Sequence, residues 1–496
     1  MKKTFITRLI AIILLSSFVF ASACGEAAKT QPDVTTAAEI DGTVTEDLSS
    51  GTTDRADYVD SVPDGLDFGG ARYNILCQKS TDLSSLAAAN EMVSEELDGD
   101  VLNDAVYNRA LKVMNRLNVE ISKTVVDDVN KTIRQSVAAG DNAFEIVAAY
   151  AYYITPLALE ELFVNWLKIP YIDLAQPWWP STLSEDLIIQ DSLFFVSGDI
   201  SMRLLEYTYC MYFNKAIAES WDIPEMYPLV IDGKWVLDKY MEIASGVSAD
   251  LDGDGKYTVN DLFGTMNNHY CDVRFSCYDI PISKLAADGT LELCVMTEKF
   301  VDVYTRLYEY YRSSDAIYRH VDNTTSIKAF KEDHLLFYPY LIVGAENFRD
   351  MENDYGIIPY PKYDEKQERY MTLAHDNYSL MCVPLDVPED SLEMIGAVTE
   401  AFAAESYRTV TPTYLEVVLK NKFLRDSYSS AMLDIITSGM KFDPAGIYSN
   451  SLGDVLHLFR GVWDGKLDIV STYSKKEKAF NKFFDRFNEK YSELGD

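Results

Sequence analysis

Between residues 71 and 150, short apolar runs alternate with helical ones, and nothing else in the chain restricts its fold as much. "ARYNILCQ" (71–78) reads as a buried strand. "GDVLNDAVYNRALKVMNRL" (99–117) has helical spacing, with Val101, Ala105, Val106, Leu111, Val113, Met114 and Leu117 predicted to form one broad apolar face. "NVEISKTVV" (118–126) alternates like a strand, "VNKTIRQSVAAG" ends a helix on Gly140, and "FEIVAAY" (144–150) is a third short strand. Strand, helix, strand, helix, strand in succession implies βαβ units and a largely parallel sheet.

The 496 residues exceed one simple core and predict two or three domains. The charge is strongly acidic, with 44 Lys+Arg against 78 Asp+Glu. Such a field repels nucleic acid and anionic membrane surfaces. The 33 tyrosines combine an apolar face with a polar tip, which suits polar, non-ionic ligands but also ordinary cores. "MKK" followed by "LIAIILLSSFVF" reads as a signal peptide over residues 1–23, because an apolar core of about twelve residues is short for a membrane span. "ASAC" before Gly25 resembles a lipoprotein cleavage box, with Ala21 in place of the usual leucine, and predicts a lipid on Cys24. Residues 24–65 are rich in Thr, Ala, Asp, Ser and Glu without apolar periodicity, and are expected to be a disordered acidic tether. The remaining cysteines, 77, 210, 271, 277, 294 and 382, form no CxxC and no metal-ligand cluster. Buried free thiols are expected, with a Cys271–Cys277 pair left open.

Further along, "LFFVSGDIS" and "YTYCMYFNK" (193–215) are consecutive strand-like runs. "DGKWVLDKYMEIASGV" is a turn and then a helix from about Val236. "HLLFYPYLIVGAENF", "YGIIPYPKY" and "YSLMCVPLD" return to strand character. The C-terminal part is mostly helical, and Phe480, Phe483, Phe484, Phe487 and Tyr491 fall on one helix face that reads as core packing.

The most specific local signal is "DLDGDGKYTVND" (250–261). Asp250, Asp252 and Asp254 supply side-chain oxygens at positions 1, 3 and 5 of a calcium loop, and Lys256 a backbone carbonyl. Thr258 stands at the water-bridged position, Gly255 at the sharp turn and Asp261 at the closing position. Clustered carboxylates gain from a hard cation, so structural Ca2+ is expected. A single loop, a short closing Asp261 and no predicted exit helix point to a staple rather than a switch. Enzyme motifs are absent: there is no HExxH, GxSxG, Walker loop or GxGxxG, and the five histidines never pair closely. Gly198 and Asp199 in "VSGDIS" read as a tight turn. Aromatic clusters occur in "AYAYYITP", "QPWWP" and "FYPY", where flat rings suit sugar faces as well as core packing.

The segment "YCMYFNKAIAESWDIPEMYPLVIDGKWVLDKYMEIASGVSADLDGDGKYTVNDLFG" (209–264) resembles the central part of extracellular solute-binding proteins of the carbohydrate-type ABC importers, especially bacterial lipoproteins. There a "YNK" strand end precedes "GKWT", a "D-x-GDG" loop and "YG"; here Phe213, Val236 and Phe263 depart from that pattern. "GDVLNDAVYNR", "IPYIDLAQPWW", "GDIS", "YGIIPYPKYDEKQERY" and "PTYLEVVLKNKFLRD" follow the same order, so the resemblance spans nearly all of the chain beyond the tether. It implies an α/β, two-lobed periplasmic-binding-protein-like fold of the class II type, with hinge strands and a helical C-terminal part. The first lobe would hold residues 66–208 plus about 360–410. The second would hold 209–359 plus about 411–496, with the calcium loop. A solute would be enclosed between lobes, by residues on strand-end loops: Tyr150, Tyr152, Trp178, Asp199, His269, Tyr338 and Tyr340.

The function so implied is a lipid-anchored, non-catalytic receptor on the outer face of the cell membrane. It would be monomeric, with no nucleic-acid partner, and would capture a sugar or oligosaccharide for an ABC permease. The alternatives are a secreted, calcium-stapled carbohydrate-active enzyme, or a receptor for a non-sugar solute such as glycerol phosphate esters, peptide or polyamine.

Overall fold

The computed structural model describes residues 54–79, 88–267, 271–313, 315–319, 322–419, 428–464 and 468–494. The expected signal peptide, Cys24, most of the tether and His269 lie outside them. Strand β1 (Ala71–Gln78) is the centre of the first sheet. β2 (Val119–Val126) pairs with it in parallel along its whole length, from Ala71↔Val119 to Gln78↔Val126. β3 (Ile146–Tyr150) pairs in parallel on the other side, in register Ile75↔Ile146. The edge strand β2 alternates buried and exposed residues at its start, whereas β3, flanked on both sides, is buried throughout. That is the difference expected between a half-covered and a fully covered strand.

Three helices attend these strands. α1 (Ala88–Met92) is short. α2 (Val101–Leu117) starts on Asp100, whose carboxylate accepts from the Leu102 and Asn103 amides, and ends on Asn118 at φ 49°. Its buried face is Leu102, Val106, Ala110, Val113 and Leu117 together with Arg109. The predicted face is rotated from this one: Val101 is 60% and Leu111 38% exposed. Arg109 turns inward because its guanidinium reaches the Glu91 and Met92 carbonyls and the Ser406 hydroxyl, and lies 4.2 Å from the Phe402 ring centroid. α3 (Val129–Ala139) is capped by Asp128 and ends on Gly140 in the left-handed region, at φ 62°.

After residue 193 the chain departs from expectation. "LFFVSGDIS" makes one bridge, Val196↔Met381, and turns at Gly198, where the Ser201 amide donates to the Gly198 carbonyl. A helix, α4 (Met202–Glu206), replaces strand structure there. A side chain at Gly198 would place its Cβ 2.1 Å from the Trp178 carbonyl, so only glycine lets the turn sit against that loop. The second sheet is built on β4 (Tyr209–Asn214), buried at every position. α5 (Leu237–Ser245) follows, then β5 (Phe337–Leu341) and β6 (Tyr355–Ile358), which flank β4 in antiparallel register. Around Tyr212 the rings of Phe348 and Tyr355 stand edge-on at 5.1 and 5.6 Å, and the Tyr212 hydroxyl donates to the Leu341 and Ile342 carbonyls. Such pairs add roughly 0.5–1.5 kcal/mol each beyond area burial.

β7 (Ser379–Cys382) returns to the first sheet, antiparallel to β3, giving the order β7-β3-β1-β2. The largely parallel sheet therefore carries one antiparallel edge strand. α6 (Leu392–Glu405) packs on α2 and runs through a π-turn, Ser406–Val410, into α7 (Thr411–Leu419). α8 (Ser429–Ser438) packs on β6. α9 (Glu477–Leu494) buries Phe480, Phe484, Phe487 and Tyr491, with Phe483 38% exposed at the edge of the stripe.

The predicted tether ends earlier than residue 65. From Asp54 on, the chain forms a strap over the π-turn. Arg55 lies 4.3 Å from the Tyr407 ring centroid, Tyr58 meets that ring edge-on, and buried Asp60 takes hydrogen bonds from Arg116 and Arg408. Asp60 stays below its ordinary carboxylate range because the two guanidinium groups outweigh its burial. Cys77, Cys210 and Cys382 are free and buried, Cys294 is free and half-buried, and Cys277 is buried.

Candidate binding site

In an open α/β sheet the natural crevice lies at the carboxyl ends of the strands, where the strand order reverses. Here β2 is added on one side of β1 and β3 on the other, so the reversal falls between β1 and β3. Their last residues, Gln78 and Tyr150, meet: the Gln78 amide oxygen accepts from the Tyr150 N–H at 3.4 Å.

A buried polar cluster underlies this point. Glu91 on α1 accepts from the Ser379 hydroxyl at 2.6 Å, the Ser201 hydroxyl at 3.1 Å and the Arg203 amide at 3.0 Å. Burial raises the Glu91 carboxyl, opposed by the Arg203 charge and these donors. The Arg203 guanidinium is fully buried, donates from Nε to the Asn377 carbonyl, and lies between two rings, 5.1 Å from Tyr150 and 4.5 Å from Tyr207. His375 lies near the Tyr207 and Tyr209 rings, and its Nδ1 is 2.8 Å from Asp376 Oδ1. Beyond β3, half-buried Tyr152 meets Tyr153 edge-on at 5.4 Å, and Tyr153 is 49% exposed. Asn450 and Asn130 hold the Tyr152 and Tyr153 carbonyls. Aromatic faces beside fixed hydrogen-bonding groups suit a polar, ring-bearing small molecule.

No protein-family model matches the sequence, and no curated protein matches it. Solved structures do match. A cyclo/maltodextrin-binding protein complexed with maltotetraose aligns at a TM-score of 0.55, over 83% of this chain and 97% of its own, with 12% identity. The maltose/maltodextrin-binding domain MalE from Bdellovibrio bacteriovorus, bound to maltotriose, aligns at 0.51, over 83% and 99%, with 13% identity. UgpB from Mycobacterium tuberculosis, in complex with glycerophosphocholine, aligns at 0.50, over 84% and 99%, with 11% identity. The fold is that of these solute-binding proteins.

Within this solute-binding fold the residues singled out from sequence fall into separate places. Tyr150 and Tyr152 stand at the β3 end, in the crevice region. Trp178 is fully buried. Its indole N–H and that of Trp179 donate to the two oxygens of Glu400 on α6, at 3.2 and 2.9 Å, so "QPWWP" fastens the loop to a helix. Tyr338 is buried in β5, its ring stacked on Phe330 and on half-buried Tyr340 at 5.6 and 5.2 Å. Asp199 lines a different space, a cavity of about 560 Å³ bordered by residues 174–184, 198–205, 407–415 and 433–440 and by Arg55. Its carboxylate accepts from the Thr411 hydroxyl, and burial raises it to about 6. The residues that sequence reasoning missed are Glu91, Ser201, Arg203, Tyr207, His375 and Ser379. Only Arg203, a charge inside the apolar run "SMRLLEYTY", carried a local signal.

The acidic loop gathers Asp250, Asp252 and Asp254, with one oxygen of each within 4.8 Å of the others. Asp250 also accepts from the Gly253 and Gly255 amides, Asp252 from the Asp254 amide and Asp254 from the Lys256 amide. Gly253 and Gly255 have φ of 73° and 77°, which suits residues without a Cβ. Asp261 is buried and stands outside this trio. Its oxygens accept from the Leu251 amide and from the Thr258 amide and hydroxyl, which lowers its pKa. The donor set therefore fits a hard cation at the loop's exposed end, while Asp261 locks the loop from inside.

Proposed function

We propose that this chain is a lipid-anchored extracellular receptor, held by Cys24, that captures a sugar or oligosaccharide and hands it to the membrane subunits of an ABC permease. The observation that carries the reading is the switch point between β1 and β3, where Gln78 and the ringed Arg203 both meet Tyr150 in a chain of the solute-binding fold. Tyr150 and Tyr152 are assigned to the solute. The maltodextrins in two of the similar structures favour a sugar. The acidic surface favours a neutral solute over an anionic one. No helix among the described residues is long and apolar enough to cross a membrane. Calcium on Asp250, Asp252, Asp254 and the Lys256 carbonyl, with Thr258 bridged by water, is proposed as a structural ion remote from the solute.

Titration calorimetry against mono- and oligosaccharides tests the reading. One glycan class is expected to bind and to be recovered chemically unchanged. Tyr152→Ala should weaken it by about tenfold, the loss of one stacking contact. Hydrolysis of the glycan would instead identify a carbohydrate-active enzyme, and silence across the panel a non-sugar solute.

A further inference from the structure

We infer that the cavity beneath the N-terminal strap is a second small-molecule site, separate from the crevice, and that it takes an organic ammonium ion with an apolar body. At about 560 Å³ it lies in the size range of small-molecule pockets. Helix α4 divides the two spaces. Met202 and Leu205 line the cavity, whereas Arg203 turns to the Tyr150 and Tyr207 rings of the crevice. Leu415 and Leu433 complete an aliphatic wall on the far side.

The polar end of the cavity is unbalanced. Asp199 and Asp434 both line it against a single cation, Arg55. Arg55 is already engaged by the Tyr407 ring face and carbonyl. Asp199 has one neutral partner, the Thr411 hydroxyl. Among the described residues no hydrogen bond or ion pair reaches the Asp434 carboxylate. The half-buried Asp199 carboxylate is costly to leave without a cation, and Asp434 adds a second negative charge at the exposed rim. An ammonium head between Asp199 and Asp434 supplies that cation, and an alkyl or aryl body fills the aliphatic wall. An anion would meet two like charges. A neutral apolar molecule would bury the wall and leave the charge unpaired. The net charge of −34 adds a long-range pull on cations. None of this depends on which solute the crevice holds.

The test uses hexylammonium and 2-phenylethylammonium as probes, with hexan-1-ol as the neutral counterpart, titrated calorimetrically into the full chain. Both ammonium ions are expected to bind at one site and more tightly than hexanol. Asp434→Asn should weaken them by about tenfold or more, the loss of a charge-assisted contact. Asp434 is exposed, so this variant keeps the fold even where Asp199→Asn does not. Tyr152→Ala should leave ammonium binding unchanged. Absence of binding by either ion, or equal binding to Asp434→Asn, would overturn the inference. Weakening by Tyr152→Ala, or displacement of the ammonium by a crevice-bound glycan, would also overturn it, by making the two spaces one site, and would leave the receptor reading intact.

Discussion

Glu400 takes hydrogen bonds from two adjacent indoles and from the Asp173 amide, and burial still lifts its carboxyl from 4.5 to about 8. Between those values the folded protein holds a proton that the unfolded chain has released. Stability therefore falls as pH rises through this window and levels off above about 8. Thermal melts from pH 4.5 to 8 should show that decline, and Glu400→Gln should flatten it. The amide can accept from only one indole, so the variant should also lose about 1 kcal/mol at low pH. Residues of this kind are hard to read from sequence. Glu91 and Ser379 are 288 positions apart, and only the sheet brings them together. The aromatic clusters misdirect for a related reason. Trp178 and Tyr338 have the composition of a sugar platform, but a ring's burial depends on what packs above it, and in both cases other side chains cover it.

Elements were more legible. β1 and β3 follow from apolar runs bounded by polar turns, and β2 from the alternation of a half-covered strand. Helix α4 was not legible: the five residues Met202–Glu206, lying between two strand-like runs, are too few to show a period of their own. On α2 the contiguous apolar face was placed one step off, since Arg109 took an inward position that a charge rarely fills. α9 offers the sharpest comparison at this scale. Phe484→Ala should cost about 3–5 kcal/mol of unfolding free energy, as a large core truncation does. Phe483→Ala, one residue away and 38% exposed, should cost about 1 kcal/mol or less in the same denaturant titration.

Across the whole molecule the two larger sheets are joined by chain passing out between Ser197 and Tyr209 and back between Ile358 and Ser379. The sequence resemblance anticipated the overall plan, while the packed strap at Asp54 was hidden by its disorder-like composition. The acidic loop belongs to this scale, because its effect should be on stability alone. Millimolar calcium should raise the melting temperature, and Asp252→Asn should abolish that shift while leaving glycan affinity within about twofold, as expected for remote sites. A direct loss of affinity on chelation, at a temperature where the protein stays folded, would bring the loop into the solute site. The buried cysteines have a consequence for how the protein is made. Burial lifts the Cys77 thiol to about 12 and pushes Cys210, Cys277 and Cys382 higher still, so little reactive thiolate forms in the native state. Of these five thiols only Cys294 should consume Ellman's reagent before denaturant is added. Where disulfide-stapled exported proteins wait on oxidase machinery, Cys77, Cys210, Cys294 and Cys382 need none, and a reducing cell-free extract and an oxidising medium should both leave these four as thiols.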